Sequence, residues 1–101
     1  MSIEELAEKL DALGHPIRLR ILGLLAYEGR SMYLSEIAER LGISRALAKI
    51  HLKKLEKAGL VKSRVVLFEE EARALRFYEL IDFNITVNPD YLKEVFISEK
   101  K

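Results

Sequence analysis

Residues 34–61 read LSEIAERLGISRALAKIHLKKLEKAGLV, and this stretch decides the fold. Its spacing predicts a short helix, a tight turn at Gly42 and a longer helix that ends near Gly59. If Ala48, Leu52 and Leu55 face a core, the opposite side of the longer helix faces solvent. That opposite side carries Ala46, Lys49, Ile50, Lys53 and Lys57. A helix with one apolar and one cationic face suits the major groove of DNA.

The N-terminal half of the longer helix holds the best candidates for DNA contact. Ser44 is first of all an N-cap, and a phosphate contact is compatible with that role. Arg45 is the best candidate for a base contact, because a guanidinium can bind O6 and N7 of guanine together. Lys49 and Lys53 are placed to reach bases or phosphates. Ile50 either meets a thymine methyl group or packs under the neighbouring elements, and the sequence leaves both roles open.

Other polar residues near this helix have competing roles. For Lys54 and Lys57, which lie later in the helix, phosphate contact and plain solvation are equally open. His51 falls at the margin of the apolar face, so a partly buried structural role is favoured over a phosphate contact. Arg18 and Arg20 flank the apolar stripe of an earlier helix, and the favoured role is an ion pair of one of them with the acidic N-terminal helix.

Cap signals predict three helices before the longer one. Ser2 and Glu5 form a capping box, and Gly14 ends the helix that they begin. Pro16 suits the first position of a second helix, because its missing N–H is not needed there. Ser35 is a plausible N-cap for the third helix.

After residue 59 the apolar spacing changes from a helical period to a period of two. Strand, turn, strand and an extended tail then occupy, in order, residues 60–69, 70–73, 75–82 and 83–87. The turn lacks Gly, Asn and Pro, which makes it a poor tight-turn sequence. Asn88 and Pro89 predict the start of a last helix, which runs to about residue 99. The predicted class is α+β: a winged helix-turn-helix with four helices, a β-hairpin wing and a C-terminal helix.

The predicted hairpin carries Arg64, Arg73 and Arg76. An arginine at a hairpin tip is favoured in the minor groove by the negative potential there. The same tip holds the three carboxylates of residues 69–71, each of which would repel phosphates by about 1 kcal/mol or less when exposed. Arg73 and Arg76 are therefore candidates for phosphate contacts, with solvation as the alternative.

Composition excludes several classes of protein. Among 101 residues there is no cysteine, which removes disulfides, thiolate zinc sites and a cysteine nucleophile and fits a reducing cytoplasm. No run reaches the ~18–20 apolar residues of a membrane span, and the acidic N-terminus is unlike a targeting peptide. Neither a catalytic triad nor a phosphate-binding glycine loop is evident, so we expect no enzyme, no cofactor, no metal and no membrane partner.

Charge is unevenly distributed along the chain. The formal net charge is only +1, but residues 31–60 alone carry a net +3 and residues 1–13 a net −3. Positive charge thus collects around the two central helices, where a phosphate partner would profit from it. A solvated surface helix has a similar composition, so charge alone leaves both interpretations open.

Several tracts together resemble the ArsR-type winged-helix regulators, above all their archaeal relatives. They are LDALGHPIRLRILGLL (10–25), LSEIAERLGIS (34–44), HLKKLEKAGLVKSR (51–64) and RFYEL (76–80). The resemblance implies a homodimer that binds operator DNA and usually represses transcription. A length of 101 residues predicts a single domain over residues 1–101. The resemblance implies that helices 2–13 and 89–99 are dimerisation elements. The positions that match the family's dimer interface are Ile3, Leu6, Leu10, Tyr91, Leu92, Val95 and Phe96, for which core packing is the alternative role.

Two departures from the family pattern limit what the resemblance implies. Metal-sensing members use a cysteine pair near the recognition helix or His and carboxylate ligands on the last helix. This chain has no cysteine and only His15 and His51, so a transition-metal sensor is not expected. Lys49 and Ile50 also replace the family's small polar residues, so the resemblance does not give the operator sequence. It does not identify a small-molecule effector either. The near-neutral net charge and the acidic wing favour one alternative function, that of a protein-interaction module without DNA affinity.

Overall fold

The computed structural model describes residues 1–100, which form five α-helices and three strands. In chain order these are α1 (Ile3–Leu13), α2 (Pro16–Glu28), β1 (Met32–Tyr33), α3 (Leu34–Leu41), α4 (Arg45–Lys57), β2 (Val61–Phe68), β3 (Arg73–Leu80) and α5 (Pro89–Glu99). A 3-10 turn over Glu69–Glu71 joins β2 to β3. The structure confirms the predicted α+β class, with four helices, a hairpin and a last helix.

Side-chain caps fix the starts of three helices as predicted. Ser2, Ser44 and Asn88 each accept a hydrogen bond from the backbone N–H three residues on, at 3.1, 3.0 and 2.8 Å. Each cap satisfies a donor that the helix itself leaves without a partner. The starts of α1, α4 and α5 are therefore encoded locally.

The predicted cap at Ser35 is wrong. α3 begins at Leu34, and Tyr33 occupies the N-cap position without a side-chain hydrogen bond. Tyr33 belongs to β1, where it pairs with Phe77 of β3. The sheet therefore sets the start of α3, and Ser35 falls inside the helix.

The three strands form one antiparallel sheet in the order β1-β3-β2. The hairpin register runs from Val61 opposite Leu80 to Phe68 opposite Arg73, so β3 begins and ends two residues earlier than predicted. The backbone turns at Ala72 in the left-handed region, with φ +49°. Residues 81–88 belong to no helix or strand, so the predicted extended run over 83–87 adds no strand to the sheet.

The hydrophobic core lies where α2, α3 and α4 pack on the sheet. Ala48, Leu52 and Leu55 of α4 are completely buried, which confirms the predicted inward face. The largest fully buried side chains are Ile21, Leu25, Met32, Ile37, Leu52, Leu55, Leu60 and Val61. Burial of such side chains is the main favourable contribution to folding. It also fixes which side of α4 remains outside.

The last helix stands apart from this core. None of the residues of α5 is buried, and the molecule measures 57 × 25 × 23 Å. Its radius of gyration is 16.4 Å, against about 13 Å for a typical domain of this length. Within residues 1–100, no helix combines the length and hydropathy that crossing a bilayer requires.

Candidate nucleic-acid interface

The turn between α3 and α4 sets the direction of the second helix of the pair. Gly42 adopts φ +66°, a conformation that glycine reaches without steric cost. The N–H of Ile43 then donates to the carbonyl of Ala38 at 3.0 Å, which closes α3 in the manner of a Schellman cap. α4 starts directly afterwards, with Ser44 as its N-cap and its first residues exposed to solvent.

The outward face of α4 is exposed as the spacing predicts. Residues on this face and at the helix start are all solvent-accessible, namely Ser44, Arg45, Ala46, Lys49, Ile50, Lys53 and Lys57. Ile50 is 65% exposed, so it does not pack under the neighbouring elements. An apolar side chain thus stands among cations on an accessible helix surface.

Two contacts from α1 hold the C-terminal half of α4. Nζ of Lys9 donates to the carbonyl of Ala58 at 2.6 Å. Nζ of Lys54 lies 2.7 Å from a carboxylate oxygen of Asp11, and this hydrogen bond and charge lower the pKa of Asp11. Lys54 is therefore engaged with α1, whereas the sequence left it open between phosphate and solvent.

Arg18 is buried between α1, α2 and α4 rather than ion-paired. Its Nε donates to the carbonyl of Ala12 at 2.7 Å and its Nη2 to that of Asp11 at 3.1 Å. The ion pair predicted from the sequence is thus wrong for Arg18, because carbonyls at the end of α1 provide the acceptors in this buried position. Nη1 of Arg18 also lies 3.1 Å from Nδ1 of His51. One guanidinium therefore joins three helices. Arg20, by contrast, is exposed.

The two histidines meet, which the sequence did not indicate. Their ring centroids are 4.5 Å apart, and Nδ1 of His15 accepts from the N–H of Ile17 at 3.1 Å as the N-cap of α2. Because a guanidinium only donates, Nδ1 of His51 accepts from Arg18. Burial lowers the pKa of His51, and the neighbouring His15, Arg18 and Lys54 lower it further. Both Nδ1 atoms are already used as acceptors, so the pair is structural.

A cleft of about 340 Å³ separates α4 from the base of the wing. Lys49, Lys53 and Glu56 line it from α4, and Arg76 and Tyr78 line it from β3. The structure therefore brings Arg76 together with the two central lysines of α4. Burial raises the pKa of the Tyr78 phenol, so three cations and one carboxylate dominate the charge of the cleft.

A hydrogen-bonded chain of three side chains crosses this cleft. Nη1 of Arg76 donates to Oγ of Ser63 at 3.0 Å, and Oγ of Ser63 donates to the carboxylate of Glu56 at 2.7 Å. The sequence indicates no role for Glu56 or Ser63. The strand register could have suggested that Ser63 lies near Arg76. Ser63 pairs with Tyr78 and Val65 with Arg76, so all four side chains lie on the same face of the hairpin.

Arg73 is separated from this group, although the sequence placed it with Arg76. The two residues are three apart in β3, so they point to opposite faces of the hairpin. Nε of Arg73 pairs with the carboxylate of Glu71, and its guanidinium lies 5.7 Å from the ring centroid of Phe68. The arginine at the tip is thus partly neutralised by one of the tip's own acids.

The chain is similar to known proteins along nearly its whole length. Residues 13–64 match the helix-turn-helix domain family. An uncharacterised HTH-type transcriptional regulator of Methanocaldococcus jannaschii is 35% identical over 99 residues, which cover 98% of this chain and 100% of that protein. A transcriptional regulator homologue from Pyrococcus horikoshii OT3 is 30% identical, with a TM-score of 0.64, and the match covers 97% of this chain and 92% of that one.

A third similarity concerns the fold. The homodimeric winged helix-turn-helix DNA-binding domain of a possible ArsR-family regulator from Mycobacterium bovis matches with a TM-score of 0.67 at 22% identity. The match covers 97% of this chain and 78% of that one. The chain belongs to the helix-turn-helix transcriptional regulators, with the winged fold of their ArsR-like members. Proteins of this class bind DNA and are not enzymes.

Proposed function

We propose that this chain is a repressor that binds a specific double-stranded DNA operator as a homodimer. The observation that carries the proposal is the orientation of α4. Ala48, Leu52 and Leu55 on its inner side are completely buried. Arg45, Lys49 and Lys53 remain exposed on the other side. A helix held in this way can enter the major groove without disturbing the core.

Each exposed residue of α4 has a proposed partner in the duplex. Arg45 binds a guanine edge, while Ala46 and Ile50 contact thymine methyl groups. Ser44 keeps its capping role and offers its hydroxyl to a phosphate. These contacts place the N-terminal half of α4 deepest in the groove, where sequence is read.

The remaining cations bind the backbone in this proposal. Lys49, Lys53 and Arg76 surround one cleft, which suits a phosphate that passes between helix and wing. Lys54 and Arg73 contribute less, because each already has a carboxylate partner.

The test is binding of the purified protein to duplexes selected from a random pool. Wild type should bind selected duplexes with an affinity that falls steeply with salt, because each phosphate contact adds about −0.9 to the slope of log affinity against log salt. The double variant Lys49→Glu/Lys53→Glu should lose specific binding and keep its fold. Arg20→Glu reverses an exposed charge outside α4, the wing and the proposed dimer interface. It is the control for charge reversal and should retain binding.

Other outcomes would contradict this proposal. Unchanged binding by the Lys49/Lys53 variant would show that α4 is not the reading helix. Wild type with no duplex affinity above that of a simple polycation would instead favour a protein-interaction module. The three exposed carboxylates of Glu69–Glu71 are the observation on which that second function depends.

The homodimer is proposed from the apolar side chains that one chain leaves uncovered. Leu10 is 40% exposed, Leu92 42% and Phe96 55%. The proposed interface consists of Ile3, Leu10, Tyr91, Leu92, Val95 and Phe96. Leu6 is only 4% exposed and contributes mainly within its own chain. The homodimeric Mycobacterium bovis domain of the same fold supports this assembly.

A further inference from the structure

We infer that Glu56 and Ser63 are positioning residues for DNA binding, which hold the guanidinium of Arg76 in the cleft between α4 and the wing. The inference rests on the proposed function, since it concerns how a phosphate is bound. It goes beyond that function by assigning a binding role to a carboxylate, whose charge would by itself oppose DNA.

The direction of the two hydrogen bonds is fixed by chemistry. A carboxylate only accepts, so the hydroxyl proton of Ser63 goes to Glu56. The lone pairs of the same hydroxyl then remain for Nη1 of Arg76, which only donates. Both bonds involve a charged group and are therefore stronger than neutral ones. The contact uses one of the five N–H groups of Arg76 and leaves the others for a phosphate.

The three residues come from three different elements. Glu56 lies on α4, Ser63 on β2 and Arg76 on β3. The chain of bonds therefore fixes the wing relative to the helix that enters the groove. An exposed arginine without such a partner loses more rotamer freedom when it binds. Holding the side chain in place before DNA arrives reduces that cost.

Glu56 thus has two opposite effects on DNA affinity. Its negative charge repels phosphates, while its oxygen orients Ser63 and through it Arg76. A substitution that removes both effects at once cannot separate them. The pair Glu56→Gln and Glu56→Met can, because both variants are uncharged, similar in length and similar in helix propensity. Only glutamine keeps an oxygen that accepts from Ser63.

The experiment measures affinity for one selected duplex as a function of salt. Glu56→Met should bind about threefold to tenfold more weakly than Glu56→Gln, the effect expected for one net hydrogen bond. Its slope of log affinity against log salt should also be smaller, by at most about 0.9, because one phosphate contact is weakened. A role of Glu56 in stability alone would not change the salt slope.

The same pair is then compared in an Arg76→Ala background. There the two variants should bind equally, since the group that they position is gone. A difference that persists without Arg76, or equal affinities with Arg76 present, would overturn the inference. Circular dichroism of all four proteins establishes that folded chains are compared, with Glu56→Leu in place of Glu56→Met if the latter does not fold.

Failure of the inference can be told apart from failure of the proposed function. Suppose that wild type binds the duplex and Lys49→Glu/Lys53→Glu does not. Equal affinities of Glu56→Met and Glu56→Gln would then overturn only the role of Glu56 and Ser63. If wild type itself shows no specific binding, the DNA-binding proposal and this inference fail together.

Discussion

At the scale of single residues, the contact between His15 and His51 has the clearest energetic meaning. Each imidazole accepts a hydrogen bond at Nδ1, from Ile17 and Arg18 respectively. Protonation of Nδ1 of His51 abolishes that acceptor and places a second positive charge beside Arg18. The only carboxylate described in this cluster, that of Asp11, is engaged by Lys54. The cluster therefore requires His51 to be neutral.

Acid should destabilise the fold through His51. Its pKa is lowered in the folded chain, so the unfolded chain binds this proton more readily and stability falls as the pH drops below about 6.5. We expect a loss of about 1 kcal/mol, the net value of the hydrogen bond from Arg18. The difference in the free energy of unfolding is measured by urea unfolding at about pH 7.5 and about pH 5. The lower pH is chosen to stay above the range in which most carboxylates take up protons.

The matched variant for this prediction is His51→Asn. Its side-chain oxygen can accept from Arg18 and does not titrate, so its stability should change less over the same interval. An equal pH dependence in His51→Asn and wild type would assign the acid sensitivity to other groups.

At the scale of elements, the end of α4 is fixed by backbone and side chain together. Gly59 adopts φ +77°, and a Cβ there would stand 3.2 Å from Nζ of Lys9. Lys9 donates to the carbonyl of Ala58, the C-cap residue of α4. A single glycine therefore permits both the turn into β2 and the contact from α1.

Gly59→Ala should lower the free energy of unfolding by about 1–2 kcal/mol, because an L-residue is strained in the left-handed region. Gly23→Ala, inside α2 with open space around the position, is the matched control. It should raise stability by about 0.5–1 kcal/mol, the usual difference between the two residues in a helix. Urea unfolding of both variants tests the opposite signs, and a neutral Gly59→Ala would contradict the strain argument.

Local signals made most of the elements predictable. The caps at Ser44 and Asn88 involve residues within one turn of helix, and the buried side of α4 follows from a short period. Ser35 misled because the pairing of Tyr33 with Phe77, more than forty positions away along the chain, decides where α3 begins. Ala72 gave no turn signal, since alanine rarely adopts the positive φ that it has here.

The candidate site was predictable in its helix and not in its connections. The exposure of Lys49 and Lys53 follows from the spacing of the apolar residues along α4 alone. The contacts of His51 with His15 and of Arg76 with Ser63 and Glu56 join segments far apart in the chain. Such contacts depend on how elements pack and have no short-range signature. The sequence therefore predicts the exposed face of α4, and the structure adds the groups that hold this helix in place.

At the scale of the whole molecule, the proposed homodimer depends on the exposed apolar side chains of α5. Phe96→Glu places a charge in the proposed interface and should convert a dimer to a monomer in sedimentation or light-scattering measurements. Tyr27→Glu, at a side chain of α2 that is 83% exposed, adds the same charge elsewhere and should leave the mass unchanged. The Phe96 variant should also lose operator affinity, because one chain then engages only one half-site.

A dimeric Phe96→Glu variant would place the interface away from α5. A monomeric wild type would contradict the homodimer itself.

In the proposed dimer, α5 packs its apolar side chains against the other chain, so the stability of the folded protein would depend on its concentration. Dimerisation stabilises the folded chain and not the unfolded one, so the midpoint of thermal unfolding should rise with protein concentration. Occupancy of an operator by paired chains would then fall more than in proportion when the protein is diluted. In this way the uncovered side of one short helix would set a threshold abundance below which transcription escapes control.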